Sequence, residues 1–160
     1  MQSMAVTLRK ALETDAAQAC DLVRRSIKEL CLEDHANDPL TLEGWLCNKT
    51  PENMAYWITN PGTHVFIAER DDQMAGVGAV TDYGEILLAY VDPACRFKGV
   101  THALLKAMED QCRGGIVERM SLTTTETARP FFLGRGYVLE DEEGDAFAEA
   151  ELAMVKSLRG

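Results

Sequence analysis

Three apolar runs follow one another in the middle of this chain with only short polar breaks: His64–Arg70 (HVFIAER), Met74–Asp82 (MAGVGAVTD) and Glu85–Val91 (EILLAYV). Asp71-Asp72-Gln73 and Tyr83-Gly84 separate them. Runs of this length joined by turn residues read as consecutive antiparallel strands. The third run is unbroken from Ile86 to Val91, which predicts a strand buried on both faces. Glycines in the second run predict close packing or a bulge.

The flanking segments supply the helices. Val6–Leu12 alternates in polarity and reads as a first strand; Thr14 reads as the cap of a helix over about 15–32. Glu33–Pro39 breaks that helix. A short helix is predicted over Leu40–Cys47, and Thr50-Pro51 opens another that stops near Asn60-Pro61-Gly62. Val100–Arg113 carries an apolar stripe of Val100, Ala103, Leu104, Ala107, Met108 and Cys112, with His102, Lys106, Glu109 and Arg113 on the other face. Arg119–Thr125 reads as a strand, and ARPFFLG as a short helix with Thr127 as its cap. GYVLE and FAEAELAMVKSL read as a closing antiparallel pair around DEEGD. The order is β-α-α-α-β-β-β-α-β-α-β-β, a mixed α/β (α+β) class. At 160 residues, one domain spanning 1–160 is expected.

The net charge of −10 excludes nucleic acid as a general partner, because phosphate backbones demand basic surfaces. It suits an amine-bearing partner, although acidity alone mostly serves solubility. No apolar run reaches the roughly 20 residues of a membrane span, and MQSMAVTLRK lacks the apolar centre of a signal peptide. The five cysteines are odd in number and form no CxxC pair. They read as reduced thiols, so a cytoplasmic location is expected, with no membrane and no metal.

Against this acidic background, VDPACRFKGVTHALL (Val91–Leu105) gathers Arg96, Lys98, Gly99 and His102 at a strand-to-helix junction. The first turn of a helix leaves N–H groups unpaired and carries partial positive charge, which favours phosphate. Gly99 lets backbone come close to such a group, Arg96 and Lys98 add charge, and Thr101 offers a hydroxyl.

Arg96-Phe97-Lys98-Gly99-Val100-Thr101 resembles the Arg/Gln-x-x-Gly-x-Gly/Ala signature of the GNAT superfamily of acyl-CoA-dependent N-acetyltransferases. Thr101 departs from the small residue usual at the last position. Ala128–Tyr137 (ARPFFLGRGY) is similar to the family's A-x-x-F-Y-x-x-x-G-F segment. The strand order fits as well, so the resemblance covers nearly the whole chain. It implies a central, mostly antiparallel sheet flanked by helices, with the fourth and fifth strands splayed. It implies acetyl-CoA (coenzyme A) as cofactor: pantetheine on backbone groups of Ala89 and Val91, and pyrophosphate on the N–H groups of Arg96, Phe97, Lys98, Gly99, Val100 and Thr101. Phe132 would pack on the pantetheine. The acceptor would be a small molecule or protein bearing an amine. Many relatives dimerise, so a homodimer is one expectation.

Two residues stand out for proton transfer. Glu85 lies eleven positions before Arg96, the spacing of the catalytic glutamate in related histone acetyltransferases, and its apolar surroundings would raise its pKa. His35, among Glu33, Asp34 and Asp38, follows the first helix, where the family builds acceptor sites; Ser26 and Glu29 would line the same pocket. The family's tyrosine of the F-Y pair, which protonates the leaving thiolate, is Phe132 here. Tyr90, Tyr83 and Tyr137 are the candidates to replace it. The missing tyrosine also admits a second reading, a CoA-binding sensor or interaction module without turnover.

Overall fold

The computed structural model describes residues 5–30, 36, 38–115, 117–125, 128–139 and 152–158. Strand β1 (Thr7–Lys10) leads through a 3-10 turn into α1 (Ala16–Leu30); α2 (Pro39–Leu46) and α3 (Pro51–Thr59) follow. The meander is β2 (Thr63–Arg70), β3 (Gln73–Thr81) and β4 (Ile86–Val91). Then come α4 (Val100–Arg113), β5 (Arg119–Thr124), α5 (Arg129–Leu133), β6 (Val138–Leu139) and β7 (Leu152–Ser157). The sequence order of elements is met throughout the described residues. Thr127 and the DEEGD turn lie outside them.

Local chemistry sets most boundaries. Thr50 caps α3 by accepting the Asn53 N–H at 3.1 Å, and Pro51 takes the first helical position. Asp38 caps α2 through the Thr41 N–H. Asp71 and Asp72 both adopt positive φ, which turns β2 into β3 with the twist a tight hairpin requires. At the start of α1 the expected Thr14 cap is corrected. Residues 13–15 form the 3-10 turn, and Asp15 reaches back to the Leu12 N–H at 2.7 Å while pairing with Arg9.

The strands form two antiparallel sheets, ordered β1-β2-β3-β4 and β5-β7-β6. The first is covered on both sides. Val65, Ile67, Val77 and Leu88 pack with Leu22, Val23 and Ile27 of α1 and Met54 of α3. Phe66, Ala68, Ala75 and Val80 pack with Val100, Leu104 and Met108 of α4, and this core continues into Met120, Leu122 and Met154 of the second sheet. Each fully buried aliphatic side chain stabilises the fold by about 1.5–3 kcal/mol.

Gly76 decides how closely α4 can lie. A Cβ there would stand 2.5 Å from Val100 Cγ1 and 2.9 Å from Leu104 Cδ1. Its absence seats the first turn of α4 on β3, directly after the basic loop.

Two further expectations need correction. Glu109 was assigned to the polar face of α4 but is 6% exposed: Tyr137 donates to its carboxylate at 2.8 Å and Lys156 at 3.1 Å. The strand expected to be buried on both faces, β4, is only half covered. Ile86 and Leu88 are buried, whereas Leu87, Ala89, Tyr90 and Val91 are partly exposed. The unbroken apolar run serves a cavity wall, not a doubly packed strand.

Candidate functional site

Strands β4 and β5 touch at one end and then part. A single parallel bridge joins Glu85 to Ser121, reinforced by the Ser121 N–H on the Gly84 carbonyl at 2.8 Å. Each strand is the edge of its sheet, so two strand edges face a cavity of about 630 Å³. Its walls are β4, Leu122–Thr124 of β5 with Thr125, Ala128 and the Phe131-Phe132 pair, Ser26 and Leu30 of α1, and the α2–α3 turn with Trp45, Asn48 and Lys49.

The Asp92 N–H bonds to the Ala75 carbonyl of β3 at 2.8 Å. Backbone groups alternate along a strand, so Val91 and Ala89 turn theirs the other way, towards the cavity. A bulge between Ala79 and Val80, opposite Leu87, resets the pairing of β4 just before this stretch.

Arg96 and Thr101 line the same cavity. Between them the loop Phe97–Val100 brings the chain into α4. Gly99 takes φ +81 at the helix cap, and a Cβ on it would meet nothing within 4 Å, so the approach to the first-turn N–H groups is open. Phe97 also holds a positive φ of 66 and is 88% exposed, with the Arg96 guanidinium 4.5 Å over its ring. A bulky residue in the left-handed region costs about 1–3 kcal/mol and marks a loop held in a specific shape. Asp92 secures the loop's origin: its carboxylate accepts the Ala94 N–H at 2.9 Å and an Arg25 N–H at 2.9 Å from α1.

The residues expected to bind cofactor thus meet at one place. Ala89, Val91, Arg96, Thr101 and Phe132 line the cavity, and Phe97, Lys98, Gly99 and Val100 form the loop at its end. The proton-transfer candidates do not all join them. Glu85 is exposed, one residue before the first strand residue of the wall, so the expected desolvation is absent. His35 lies outside the described residues. Ser26 lines the cavity but Glu29 is exposed and does not.

Of the three tyrosines, Tyr90 lines the cavity. Tyr83 is 86% exposed at a hairpin turn. Tyr137 is fully buried, and burial followed by its bond to Glu109 pushes its hydroxyl far above the ordinary range, which removes it as a proton donor. No carboxylate or imidazole lies among the described lining residues. Among the described residues no cluster of potential metal ligands occurs either.

Sequence reasoning missed Trp45, Asn48 and Lys49. They reach the wall because Arg24 of α1 donates to the Leu46 and Lys49 carbonyls at 3.0 and 2.9 Å and fastens the α2–α3 turn. The signal available was a short helix followed at once by a polar turn and a proline-capped helix. Nothing in it indicates which way the turn faces.

The family model for the acetyltransferase (GNAT) domain matches residues 31–156. No curated protein matches the chain by sequence. Solved structures resemble it over nearly its full length. A GCN5-related N-acetyltransferase from Rhodopseudomonas palustris superposes with a TM-score of 0.82 at 23% identity, covering 98% of each chain. The PaiA N-acetyltransferase of Thermoplasma acidophilum, in complex with coenzyme A, gives 0.80 at 18% identity over 96% of this chain and 99% of that one. N-acetylglutamate synthase from Neisseria gonorrhoeae, complexed with coenzyme A and N-acetyl-glutamate, gives 0.72 at 21% identity, covering 99% of this chain and 36% of its own. At these identities the likeness establishes the fold.

Proposed function

The chain belongs to the GNAT acetyltransferase family, and from that premise we propose that it works as one domain that moves acetyl from acetyl-CoA to a primary amine by direct attack. The observation that carries this reading is the parting of β4 from β5 with the Arg96–Thr101 loop at the cavity's edge. It offers what an acyl-CoA needs: free strand edges for the amides of pantetheine and a helix start for the pyrophosphate.

When bound, acetyl-CoA supplies the activated acetyl thioester. Backbone groups of Ala89 and Val91 would hold the pantetheine arm along β4, and a backbone N–H of that strand would polarise the thioester carbonyl. The N–H groups of Arg96–Thr101 hold the pyrophosphate, with Arg96 and Lys98 adding charge. Phe131 and Phe132 close the apolar side and exclude water. Tyr90, which lines the cavity, would donate a proton to the thiol end of CoA in place of the tyrosine that Phe132 replaces. The amine's proton would leave through water towards Glu85, in solvent at the Glu85–Ser121 end of the strands, with His35, outside the described residues, as the second candidate base.

The acceptor presents an uncharged amine beside Ser26, Trp45, Asn48 and Lys49. The described part of that wall carries Lys49 and no carboxylate, which favours an acceptor of neutral or anionic character over a polyamine. The test is CoA release from acetyl-CoA across a panel of amino acids, aryl amines, polyamines and peptides. Amine-dependent release supports the reading. Binding of acetyl-CoA with no release by any amine supports a CoA-binding module instead. Among the described residues no helix is long and apolar enough to cross a membrane.

A further inference from the structure

We propose that Lys10 is a site of acylation on the protein itself, its amine served by His64 as proton acceptor, and His64 held in place by Asp82. The antiparallel register gathers the three at one end of the first sheet: Lys10 ends β1, His64 lies near the start of β2, and Asp82 follows β3. None of them lines the β4–β5 cavity.

Asp82 Oδ1 stands 2.7 Å from His64 Nε2, and Lys10 Nζ stands 3.4 Å from His64 Nδ1. An ionised carboxylate only accepts hydrogen bonds, so the neutral ring carries its proton on Nε2 and turns the Nδ1 lone pair to the lysine. Gln111 Oε1 accepts from Nζ at 2.9 Å, and the Phe66 ring centroid lies 4.4 Å away. These contacts fix a side chain that would otherwise sweep freely, while leaving it exposed to a reagent. Partial burial also lowers the Lys10 pKa, which enlarges the uncharged, nucleophilic fraction.

The step is an aminolysis by an acyl thioester. The uncharged Lys10 nitrogen attacks the thioester carbonyl, the C–N bond forms, and the C–S bond breaks with release of thiolate. The proton lost from nitrogen passes to His64 Nδ1, and Asp82 stabilises the resulting imidazolium. Lys28 and Lys106 are also exposed, but among the described residues neither has an imidazole partner. They are internal references. The modification would remove the ammonium that Gln111 and Phe66 hold, and with it a link from β1 to α4.

The test uses the whole protein and S-acetyl-N-acetylcysteamine, a small thioester with no nucleotide, so it does not depend on the cofactor site. Acetylation of each lysine is followed in time by mass spectrometry. Lys10 is expected to react about tenfold or more faster than Lys28 and Lys106, since a placed proton acceptor adds on the order of 100-fold or more and a surface site realises part of it. His64→Asn removes the base and is expected to slow Lys10 several-fold or more without moving the references, leaving only the part of its advantage that partial burial supplies. Asp82→Asn, at an exposed position, gives the same reading should His64→Asn fail to fold. Equal rates in the unaltered protein, or a Lys10 rate that the folded variant leaves unchanged, overturns the proposal.

Discussion

Tyr137 donates its buried hydroxyl to Glu109 Oε2 at 2.8 Å, and the same carboxylate takes Lys156 Nζ at 3.1 Å. The triad ties the middle of α4 to β7 and to the segment after α5. Tyr137→Phe should cost about 1.5–3 kcal/mol, the worth of a hydrogen bond to a charged group, read from denaturant midpoints. Its pH signature has a definite sign. Burial first, then Glu109, raise the folded-state pKa above the ordinary 10.0. The stabilisation is therefore complete below about pH 10 and lost as pH rises beyond it, because only the unfolded chain releases the proton. Tyr137→Phe should flatten that alkaline limb.

Asp92 holds the opposite sign. Partial burial works to raise its pKa, but the Arg25 hydrogen bond, the Ala94 N–H and the Arg25 charge outweigh it and keep it below the ordinary 3.8. Its contribution stands above about pH 4 and fades as pH falls through the folded value. Asp92→Ala removes both the cap and the partner of Arg25, for about 1–2 kcal/mol. It should also weaken CoA binding, because the loop Arg96–Thr101 loses its anchor. Thermal melts at pH 7 and at pH values stepped down well below 3.8, with calorimetric titration of CoA at pH 7, check both effects.

Gly99 separates binding from folding. Gly99→Ala incurs only the left-handed backbone penalty, about 1 kcal/mol, since a Cβ there meets no neighbour within 4 Å. Gly99→Glu adds bulk and negative charge where the pyrophosphate is proposed to sit. It should abolish CoA binding while the protein stays folded by circular dichroism. Unchanged affinity in a calorimeter would remove the loop from the site.

Tyr90 and Tyr137 predict different kinetics. Tyr90→Phe should lower kcat about 10-fold to 100-fold with little change in the KM for acetyl-CoA, if the lost function is proton donation. Tyr137→Phe should leave the pH–rate profile in place. Identical profiles for both variants would return the proton donor to water.

Glu85 is tested through pH rather than rate alone. Glu85→Gln should slow turnover chiefly below the amine's pKa and leave acetyl-CoA affinity intact. A superimposable pH–rate profile retires Glu85 as the base.

Most parts of this molecule written in local chemistry were legible in its sequence, the start of α1 excepted, where Asp15 and not Thr14 holds the turn. The cap and proline at Thr50-Pro51, the Asp71-Asp72 turn and the limits of α4 follow from a few adjacent residues. What distant segments decide was not. Glu109 looks like a surface residue until Tyr137 and Lys156, far along the chain, arrive to satisfy it. Ile86–Val91 carries the composition of a buried strand, and composition does not distinguish a neighbour made of protein from a cavity. The strand and loop proposed to hold the cofactor were readable because backbone and glycine define them. The wall proposed for the acceptor includes Trp45, Asn48 and Lys49, beside a turn that Arg24 fastens with two donated hydrogen bonds, and no local pattern announces that contact.

The parting of β4 and β5 has a consequence for solubility. Each is the outer strand of its sheet, with main-chain donors and acceptors along the cavity. Exposed strand edges are templates for pairing with other chains. An extended ligand lying between them acts as a missing strand and blocks that template. If acetyl-CoA is that ligand, as proposed, adding it should lower the protein's tendency to aggregate, read by light scattering with and without CoA.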